Sequence, residues 1–352
     1  MSKRDPLAGK LPVSLITGFL GSGKTTLLKH LLRDPGMNRA AVIINEFGEV
    51  GIDHELVASS SEQMTLLSNG CLCCSVRTDL QETLRELFIK RRAGEVIDFD
   101  RVFVETTGLA DPVPVLHALQ TDGMLGAQYR LDCVVTLVDA VNGLRNLDDA
   151  PEAAKQAAVA DRIVITKSDI ATADAVASLE ARLAQMNPYA ARTIAVNARV
   201  DVAFLRDVGP RSTRVSASDL ERWLAPSGDA SGAEGAYLGE RVRIGAHDTS
   251  IRSFCLWFDK PFTWDTFSAA VQALTTLRGP DLLRVKGLLN VAGEAGPVLV
   301  QGAQHVFHPP VTLEAWAGED RRSRLVFITR NLSRQAVEGL FAAVGTLAAP
   351  HA

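Results

Sequence analysis

The chain has 352 residues, 47% of them hydrophobic and 22% charged, which excludes a disordered or fibrous protein and is enough for two packed cores. Lysine and arginine total 37, aspartate and glutamate 41, and the net charge is −4. This balance argues against non-specific binding to nucleic acid or to an anionic membrane surface. The polar start, MSKRDPLAGK, has no apolar core of the kind that a secretory signal needs, and five cysteines, an odd number, argue against a disulfide framework. We therefore expect a cytoplasmic protein with no membrane and no nucleic-acid partner.

The first two hundred residues alternate short apolar runs with amphipathic stretches. The predicted strands are Pro12–Thr17, Ala40–Asn45, Arg101–Val104, Leu131–Val138, Arg162–Thr166 and Thr193–Val196. The predicted helices are Lys24–Arg33, Arg77–Arg92, Val113–Gln120, Pro151–Ala160 and Ala171–Met186. Val- and Ile-rich strands separated by helices are typical of a mostly parallel sheet with crossover helices. The pattern predicts an α/β domain over residues 1–205.

The composition changes at residues 226–250, where Gly, Pro, Ser and Ala occur without helical or strand periodicity. We interpret residues 206–250 as a connecting segment and flexible linker. After this segment the sequence again predicts regular elements. They are a strand over Ile251–Phe258, a helix over Trp264–Leu277, several short strands up to Leu313, a strand over Leu325–Thr329 and a last helix from Ser333. This order predicts a smaller α+β domain over residues 251–346.

A phosphate-binding motif lies early in the chain. Residues 18–25 read GFLGSGKT and fit G-x-x-x-x-G-K-[ST] without a mismatch. The apolar strand before the motif and the helical pattern after it disfavour an ordinary glycine-rich turn, because backbone N–H groups at such a helix start bind phosphates. Lys24 is expected to reach the β- and γ-phosphates, and the Thr25 hydroxyl is expected to bind Mg²⁺. The predicted nucleotide-binding residues here are Gly18, Gly21, Ser22, Gly23, Lys24, Thr25 and Thr26.

A second part of the predicted site follows the strand Arg101–Val104. Glu105 ends the apolar run, and Gly108 comes three residues later, a shape like the D-x-x-G switch of GTPases with Glu in place of Asp. We expect Gly108 to offer its N–H to the γ-phosphate. Glu105 is expected either to contact the metal ion through water or to orient the attacking water, and the sequence leaves this choice open. With Lys24 and Thr25, Glu105 completes the predicted catalytic set.

The base is predicted from the segment after the strand Arg162–Thr166. Thr166, Lys167, Ser168 and Asp169 follow one another, where GTPases usually have N-K-x-D. A carboxylate at Asp169 can accept both N1–H and N2–H of guanine, and the stem of Lys167 can cover the face of the base. Thr166 lacks the amide that normally braces the loop, so we expect GTP to be favoured over ATP with weaker discrimination.

Three thiols lie close together at Cys71, Cys73 and Cys74. Their spacing, in what we interpret as a Gly-led loop, suits Zn²⁺ or another soft divalent ion. A vicinal-thiol redox switch and simple apolar packing are the alternatives. Three thiolates leave a fourth coordination position open, which suits a metal held for transfer. Cys133 and Cys255 lie in apolar strands and are expected in cores.

Taken together, the segments GFLGSGKTTLL, INEFGEVGID, GCLCCSVR, ETTGLADP and TKSD resemble the CobW-type GTPases, which are P-loop metallochaperones. The segments LLRVKGLLNVAG, VLVQGAQHVFHPP and DRRSRLVFI resemble the small C-terminal domain of that family. The resemblance implies that the CxCC cysteines bind zinc, with cobalt or iron as alternatives, and that GTP hydrolysis is coupled to transfer of the metal to a client protein. It also implicates Glu46 as an oxygen ligand or switch contact.

The resemblance leaves several points open. The chain could belong to a cobalt-handling branch or to a branch that activates nitrile hydratase, and a redox-controlled GTP switch without metal is a further alternative. A homodimer is one candidate assembly. Many members carry a His-rich tract near the linker, whereas here that region holds only His247, so storage of several metal ions is not expected.

Overall fold

Apolar, β-branched runs form the strands of the first sheet, because a strand covered by helices on both faces is buried on both. The computed structural model describes residues 5–37, 39–45, 64–66, 72–76, 80–197, 199–224, 251–316 and 318–347. The strands of the first sheet are β1 (Leu11–Gly18), β2 (Ala40–Asn45), β3 (Met64–Leu66), β4 (Leu72–Val76), β5 (Arg101–Thr106), β6 (Tyr129–Asp139), β7 (Arg162–Thr166) and β8 (Ala191–Ile194).

The strand order is β3-β4-β2-β5-β1-β6-β7-β8. Every neighbouring pair is parallel except β3 with β4, so the predicted α/β fold with a mostly parallel sheet is confirmed. The order reverses direction around β1, and the carboxyl ends of parallel strands at such a switch point form the usual ligand crevice of this architecture. The phosphate-binding motif of residues 18–25, called the P-loop from here on, follows β1 and lies at this switch point.

Seven helices connect the described strands of this sheet. They are α1 (Lys24–Leu31), α2 (Leu80–Ala93), α3 (Pro112–Thr121), α4 (Gly123–Gln128), α5 (Gly143–Asp149), α6 (Pro151–Val159) and α7 (Ala173–Met186). The sequence patterns did not predict α4 and α5, which are only six and seven residues long. At α4 the Asp122 side chain accepts hydrogen bonds from the N–H groups of Met124 and Leu125, and this cap starts a new helix immediately after α3.

The segment that contains the cysteines was interpreted wrongly as a loop. Residues Leu72–Val76 form β4, which pairs in parallel with β2 and antiparallel with β3. A short strand between two neighbours is stabilised by backbone hydrogen bonds, which the residue pattern of LCCSV did not signal. Cys133, in contrast, is fully buried in the core, as predicted.

The second sheet is antiparallel and lies in the C-terminal part of the chain. Its strands are β9 (Ile251–Phe258), β10 (Leu282–Leu289), β11 (Val298–Ala303), β12 (Val306–Phe307), β13 (Val311–Thr312) and β14 (Ser323–Arg330). The order is β12-β11-β10-β14-β9, with β13 paired to β11. The helices of this part are α8 (Ala217–Leu224), α9 (Trp264–Arg278) and α10 (Arg334–Leu347). The α+β prediction is confirmed, although α8 was missed.

Aromatic rings fill the core of this C-terminal part. The ring centroids of Phe258 and Phe262 are 5.0 Å apart, and those of Phe258 and Phe341 are 5.3 Å apart. Phe267 and Phe327 also contact Phe341. Edge-to-face and tilted pairs of this kind add to the free energy gained from burying the rings.

The chain divides into two compact units. One comprises Leu7–Leu183 and Ala190–Pro210, and the other comprises Met1–Pro6, Ala184–Tyr189 and Arg211–Ala352. The domain boundaries expected from the sequence, at residues 205 and 250, stay predictions, and residues 225–250 lie outside the described part of the chain. None of the helices described has the length and hydropathy needed to cross a membrane.

Candidate nucleotide and metal site

The phosphate-binding loop connects β1 to α1, and its glycines have conformations that other residues rarely adopt. Gly21 and Gly23 have φ angles of 71° and 91°, in the left-handed region where a side chain causes strain. A Cβ atom on Gly18 would lie 2.5 Å from the carbonyl oxygen of Leu137, which excludes any side chain there. The three glycines of the predicted motif are therefore required by the backbone of this loop.

Lys24 and Thr25 begin α1 at the base of the loop. Lys24 is buried, and its Nζ donates hydrogen bonds to the carbonyl oxygens of Gly18 at 2.8 Å and Phe19 at 3.3 Å. The ammonium group thus lies within the turn where phosphate oxygens would bind. Thr25 Oγ1 donates to Glu105 Oε1 at 3.2 Å, so the predicted catalytic trio of Lys24, Thr25 and Glu105 comes together. Thr26 is exposed on the next position of the helix.

Glu105 is 1% exposed at the end of β5. The neighbouring Thr106 Oγ1 donates to Thr17 Oγ1 at 2.9 Å, which fixes the end of β5 against the end of β1. A hydroxyl and a carboxylate are hard oxygen ligands, the chemistry that Mg²⁺ prefers. The pair Thr25 and Glu105 fits a Mg²⁺ ion bound with the nucleotide, either directly or through water.

Gly108 lies directly against the P-loop. A Cβ atom at Gly108 would be 2.8 Å from the backbone nitrogen of Leu20 and 2.9 Å from its Cα. Only a residue without a side chain permits this approach of two backbones. The structure therefore places Gly108 beside the phosphate loop, as the switch-like pattern ETTG predicted.

The TKSD segment contacts the P-loop. Thr166 Oγ1 donates to the carbonyl oxygen of Ser22 at 2.8 Å, so the hydroxyl that stands in place of the usual amide is bonded to a P-loop residue. Weaker discrimination between GTP and ATP stays a prediction. The Thr166 side chain also lies 3.8 Å from the position of a Cβ on Gly23.

Lys167 adopts a left-handed conformation, with a φ angle of 58°. Its Nζ donates to Asp139 Oδ2 at 2.6 Å. Asp139 also accepts hydrogen bonds from the Val141 N–H at 2.7 Å and from the side chain of Asn142 at 3.2 Å. Burial alone would raise the pKa of Asp139, but the bonds from Lys167, Val141 and Asn142 outweigh it and lower that pKa. Asp139 therefore stays ionised and orients the lysine.

Asp169 is exposed in the turn after Lys167. The next residue of that turn, Ile170, is 70% exposed. The turn is attached to the end of β8, because Ser168 Oγ donates to the Ala195 carbonyl at 3.1 Å and the Ala195 N–H donates to the Ile165 carbonyl at 2.7 Å. The base end of the site is thus an open surface on a fixed backbone.

The metal-binding prediction falls mostly outside the described residues. Cys71 and Glu46 lie outside them, and for Cys73 and Cys74 the structure describes the backbone alone. In the register of the sheet Cys74 pairs with Ile43 of β2, whose next residue, Ile44, pairs with Glu105 of β5. Adjacent strands are about 4.8 Å apart, so β4 lies roughly 10 Å from β5, with β2 between them. Among the residues whose side chains are described, which do not include these three cysteines, no group of three or more metal-binding side chains occurs.

Three residues that contact the predicted site residues or the segment after Gly108 were not predicted from the sequence. Asp139 is the last residue of β6, and an acid at the end of a buried strand is a signal for a site. Gln156 of α6 is fully buried, and its Nε2 donates to the carbonyls of Gly108 at 3.1 Å and Ala110 at 3.0 Å. The neighbouring Lys155 pairs with Asp111. A lone amide within AAKQAAVA was the only sequence signal for this contact.

Comparison with known proteins identifies the family of this P-loop protein. The family profile "CobW/HypB/UreG, nucleotide-binding domain" matches residues 12–193, and "Cobalamin synthesis protein cobW C-terminal domain" matches residues 251–344. The chain belongs to the CobW/HypB/UreG family of P-loop GTPases. The resemblance drawn from the motifs is thereby confirmed.

Family members similar to this chain match it over nearly its whole length. The zinc chaperone YjiA of Escherichia coli is 33% identical, with 94% of this chain and 98% of that protein covered. The zinc chaperone CobW of Pseudomonas aeruginosa is 32% identical, with 93% and 90% covered. A crystal structure of Zn(II)-bound YjiA GTPase superimposes with a TM-score of 0.70 at 30% identity, covering 95% of this chain and 99% of that one.

Proposed function

We propose that this protein is a zinc chaperone in which GTP hydrolysis at the P-loop controls the hand-over of zinc from Cys71, Cys73 and Cys74 to a client protein. The observation that carries this proposal is the strand register. β4, with the backbone of Cys73 and Cys74, and β5, with Glu105, lie in one sheet on either side of β2. The names of the two relatives, both zinc chaperones, support zinc as the cargo.

The phosphate end of the site has the groups that hydrolysis needs. Lys24 would neutralise charge on the β- and γ-phosphates, and the loop N–H groups would fix the phosphate oxygens. Thr25 and Glu105 would hold Mg²⁺, which supplies charge neutralisation at the transferring phosphoryl group when it is bound. Orienting the attacking water is the alternative role that we assign to the buried Glu105 carboxylate.

The base end supports guanine. The carboxylate of Asp169 accepts from two guanine donors, a pairing that adenine does not offer. Asp139 holds the ammonium group of Lys167, and we assign the aliphatic stem of the lysine to covering the face of the base. GTP is therefore the nucleotide that we assign to the site.

Coupling would run through the sheet from β5 to β4. Loss of the γ-phosphate would remove the ligand that we assign to the Gly108 N–H, and the segment after β5 could then move. β2 lies between β5 and β4, so a change at the end of β5 is transmitted to a neighbour of the cysteine strand. Glu46, which follows β2 directly, is the residue we assign to this connection.

The test is zinc affinity, measured by competition with a chromophoric chelator in excess Mg²⁺, first with GDP and then with a non-hydrolysable GTP analogue. We expect one zinc per chain and an affinity that changes at least about fivefold with the nucleotide, the lower end of ordinary coupling free energies. A variant with Cys71→Ala, Cys73→Ala and Cys74→Ala should lose the site. The matched control is Cys255→Ser, because Cys255 is half-buried and belongs to the other compact unit. This variant should keep the zinc site.

Other outcomes distinguish the alternatives. Binding that ignores the nucleotide, or that survives loss of the three thiols, contradicts GTP-controlled transfer. Reduced protein that binds no zinc but changes nucleotide affinity on oxidation would indicate a redox switch. Tighter binding of cobalt than the ordinary divalent-ion order predicts would indicate a cobalt-handling protein. The client stays unidentified in this experiment because the chelator serves as the acceptor.

A further inference from the structure

Helix α6 holds the segment that carries Gly108. Gln156 is 0% exposed, and both hydrogens of its side-chain amide are used within this segment, on the carbonyl oxygens of Gly108 at 3.1 Å and Ala110 at 3.0 Å. A buried amide that donates twice to one short stretch of backbone fixes the course of that stretch, since breaking either bond leaves a buried polar group unpaired.

The preceding residue of the helix holds the other end of the segment. Lys155 Nζ pairs with Asp111 Oδ2, and the lysine side chain is only 15% exposed. Asp111 Oδ1 meanwhile accepts from the Val113 N–H at 3.0 Å and so caps α3. Two adjacent residues of α6 therefore hold the beginning and the end of residues 108–111.

The helix itself is firmly seated. Thr136 Oγ1 of β6 donates to the backbone carbonyl of Gln156 at 2.7 Å. The small residues Ala154, Ala157 and Ala158 are 2%, 0% and 0% exposed. Packing of this kind leaves little room for the helix to shift, so α6 is a rigid support for the two side chains.

On the side away from α6, residues 108–111 contact the P-loop through Gly108. The backbone of Leu20 would lie 2.8 to 2.9 Å from any Cβ at Gly108. Gly108 therefore lies between the Gln156 amide and the phosphate loop. A displacement of the order of 1 Å in a positioning group lowers catalysis by about 100-fold, which is the scale of error that this contact can prevent.

We propose that Gln156 and Lys155 are positioning residues for GTP hydrolysis, which hold residues 108–111 against the P-loop so that the Gly108 N–H faces the γ-phosphate. Neither residue touches the nucleotide; both act through the segment. The inference rests on the hydrolysis assigned to this site and is independent of zinc.

The first test is Gln156→Met, which keeps the length of the side chain and removes its two donors. We expect kcat for GTP to fall about 10- to 100-fold and KM to change by no more than about twofold, because the lost interaction orders a group that acts in the transition state. The matched control is Thr136→Val, which removes the hydrogen bond to the backbone carbonyl of Gln156 and leaves its amide. Its kcat should stay within about threefold of the wild type.

A second variant separates positioning from general loss of structure. In Gln156→Glu a carboxylate faces two carbonyl oxygens and donates to neither, whereas the protonated acid donates to one. Burial raises the pKa of such a carboxyl, so its kcat relative to wild type should rise as the pH falls from 8 to 6. Lys155 pairs with Asp111 and Lys167 pairs with Asp139, and both ion pairs are present in the wild type and in the variant.

The outcomes are distinct. A wild-type kcat in both Gln156 variants overturns the proposal. It is also overturned if Thr136→Val shows the same fall in kcat together with the same loss of thermal stability. Should Gln156→Met fail to fold, Lys155→Met replaces it, with a smaller fall in kcat at constant KM expected and an unchanged kcat contradicting the proposal. A wild-type protein that hydrolyses no GTP refutes the proposed function instead, and zinc affinity measured in parallel reports on the chaperone assignment separately.

Discussion

The phosphate end and the base end of the nucleotide site are built in different ways. At the phosphate end Lys24 and Glu105 are buried, and three glycines are required by backbone geometry. At the base end Asp169 is exposed, and Lys167 reaches its position through an ion pair with Asp139. From this contrast we propose that affinity for phosphate depends on backbone and burial, whereas the choice of base depends on a few exposed side chains that one substitution can change.

The largest effect is expected from Lys24→Ala. Removing the buried ammonium should lower GTP hydrolysis by about 100-fold or more, because a fixed charge aimed at the phosphates in a sheltered site contributes strongly to catalysis. Single-turnover hydrolysis of labelled GTP measures it. Lys29→Ala, further along the same helix, is the control and should keep near-normal activity. Normal hydrolysis by Lys24→Ala would show that the phosphates bind elsewhere.

At the base end, Asp169→Asn should change the preferred base. The amide no longer accepts from both guanine donors, so affinity for GDP should fall about 10- to 100-fold. An amide N–H can instead donate to the 2-oxo group of xanthine, and affinity for xanthosine diphosphate should rise. Competition against a fluorescent nucleotide measures both. Asp174→Asn, which changes an exposed aspartate in the first turn of α7, is the control, and a guanine preference unchanged in Asp169→Asn would contradict the assignment.

The ion pair of Lys167 with Asp139 is expected to make the free energy of unfolding depend on pH. The pKa of Asp139 is lowered in the folded protein from the usual 3.8, so its contribution to stability is present above that value and is lost as the pH falls through the lowered pKa. We expect Asp139→Asn to cost about 1 to 2 kcal/mol of unfolding free energy at pH 7. The difference from wild type should shrink as the pH falls from 4 towards 3, as measured by urea denaturation. The exposed pair of Arg145 and Asp149 supplies the control, Asp149→Asn, for which almost no cost is expected.

The smallest effect is expected at the hydrogen bond between Thr166, at the base end, and the P-loop. Thr166→Val removes the hydrogen bond to the Ser22 carbonyl and should weaken nucleotide binding by about fivefold, the equivalent of roughly 1 kcal/mol. Thr166→Ser keeps the hydroxyl and should bind as the wild type does. Equal affinities for all three proteins in nucleotide titrations would mean that this hydrogen bond contributes nothing to binding.

Elements with strong local patterns were predicted correctly from the sequence. The bounds of β2, β7 and β9 match the predicted ranges, and α6 differs by a single residue. Elements that depend on neighbours were missed. β4 forms because β2 and β3 supply hydrogen-bonding partners, and α4 forms because Asp122 caps it, neither of which a short window of sequence reveals.

For the site, the sequence by itself determined the phosphate-binding loop, because its glycines, Lys24 and Thr25 are adjacent in the chain and fit one motif without a mismatch. It also indicated Glu105, Gly108 and the TKSD segment, since strand ends at one edge of a parallel sheet converge.

Only the tertiary structure decided how these groups are held. Gln156 contacts carbonyls 48 and 46 residues away, and Lys167 contacts an aspartate 28 residues away. Nothing in the local pattern specifies such pairs, because packing of α6 and β7 against the sheet chooses among many distant partners. The physical reason is that a hydrogen bond needs both groups within about 3 Å, and only the completed fold brings them that close.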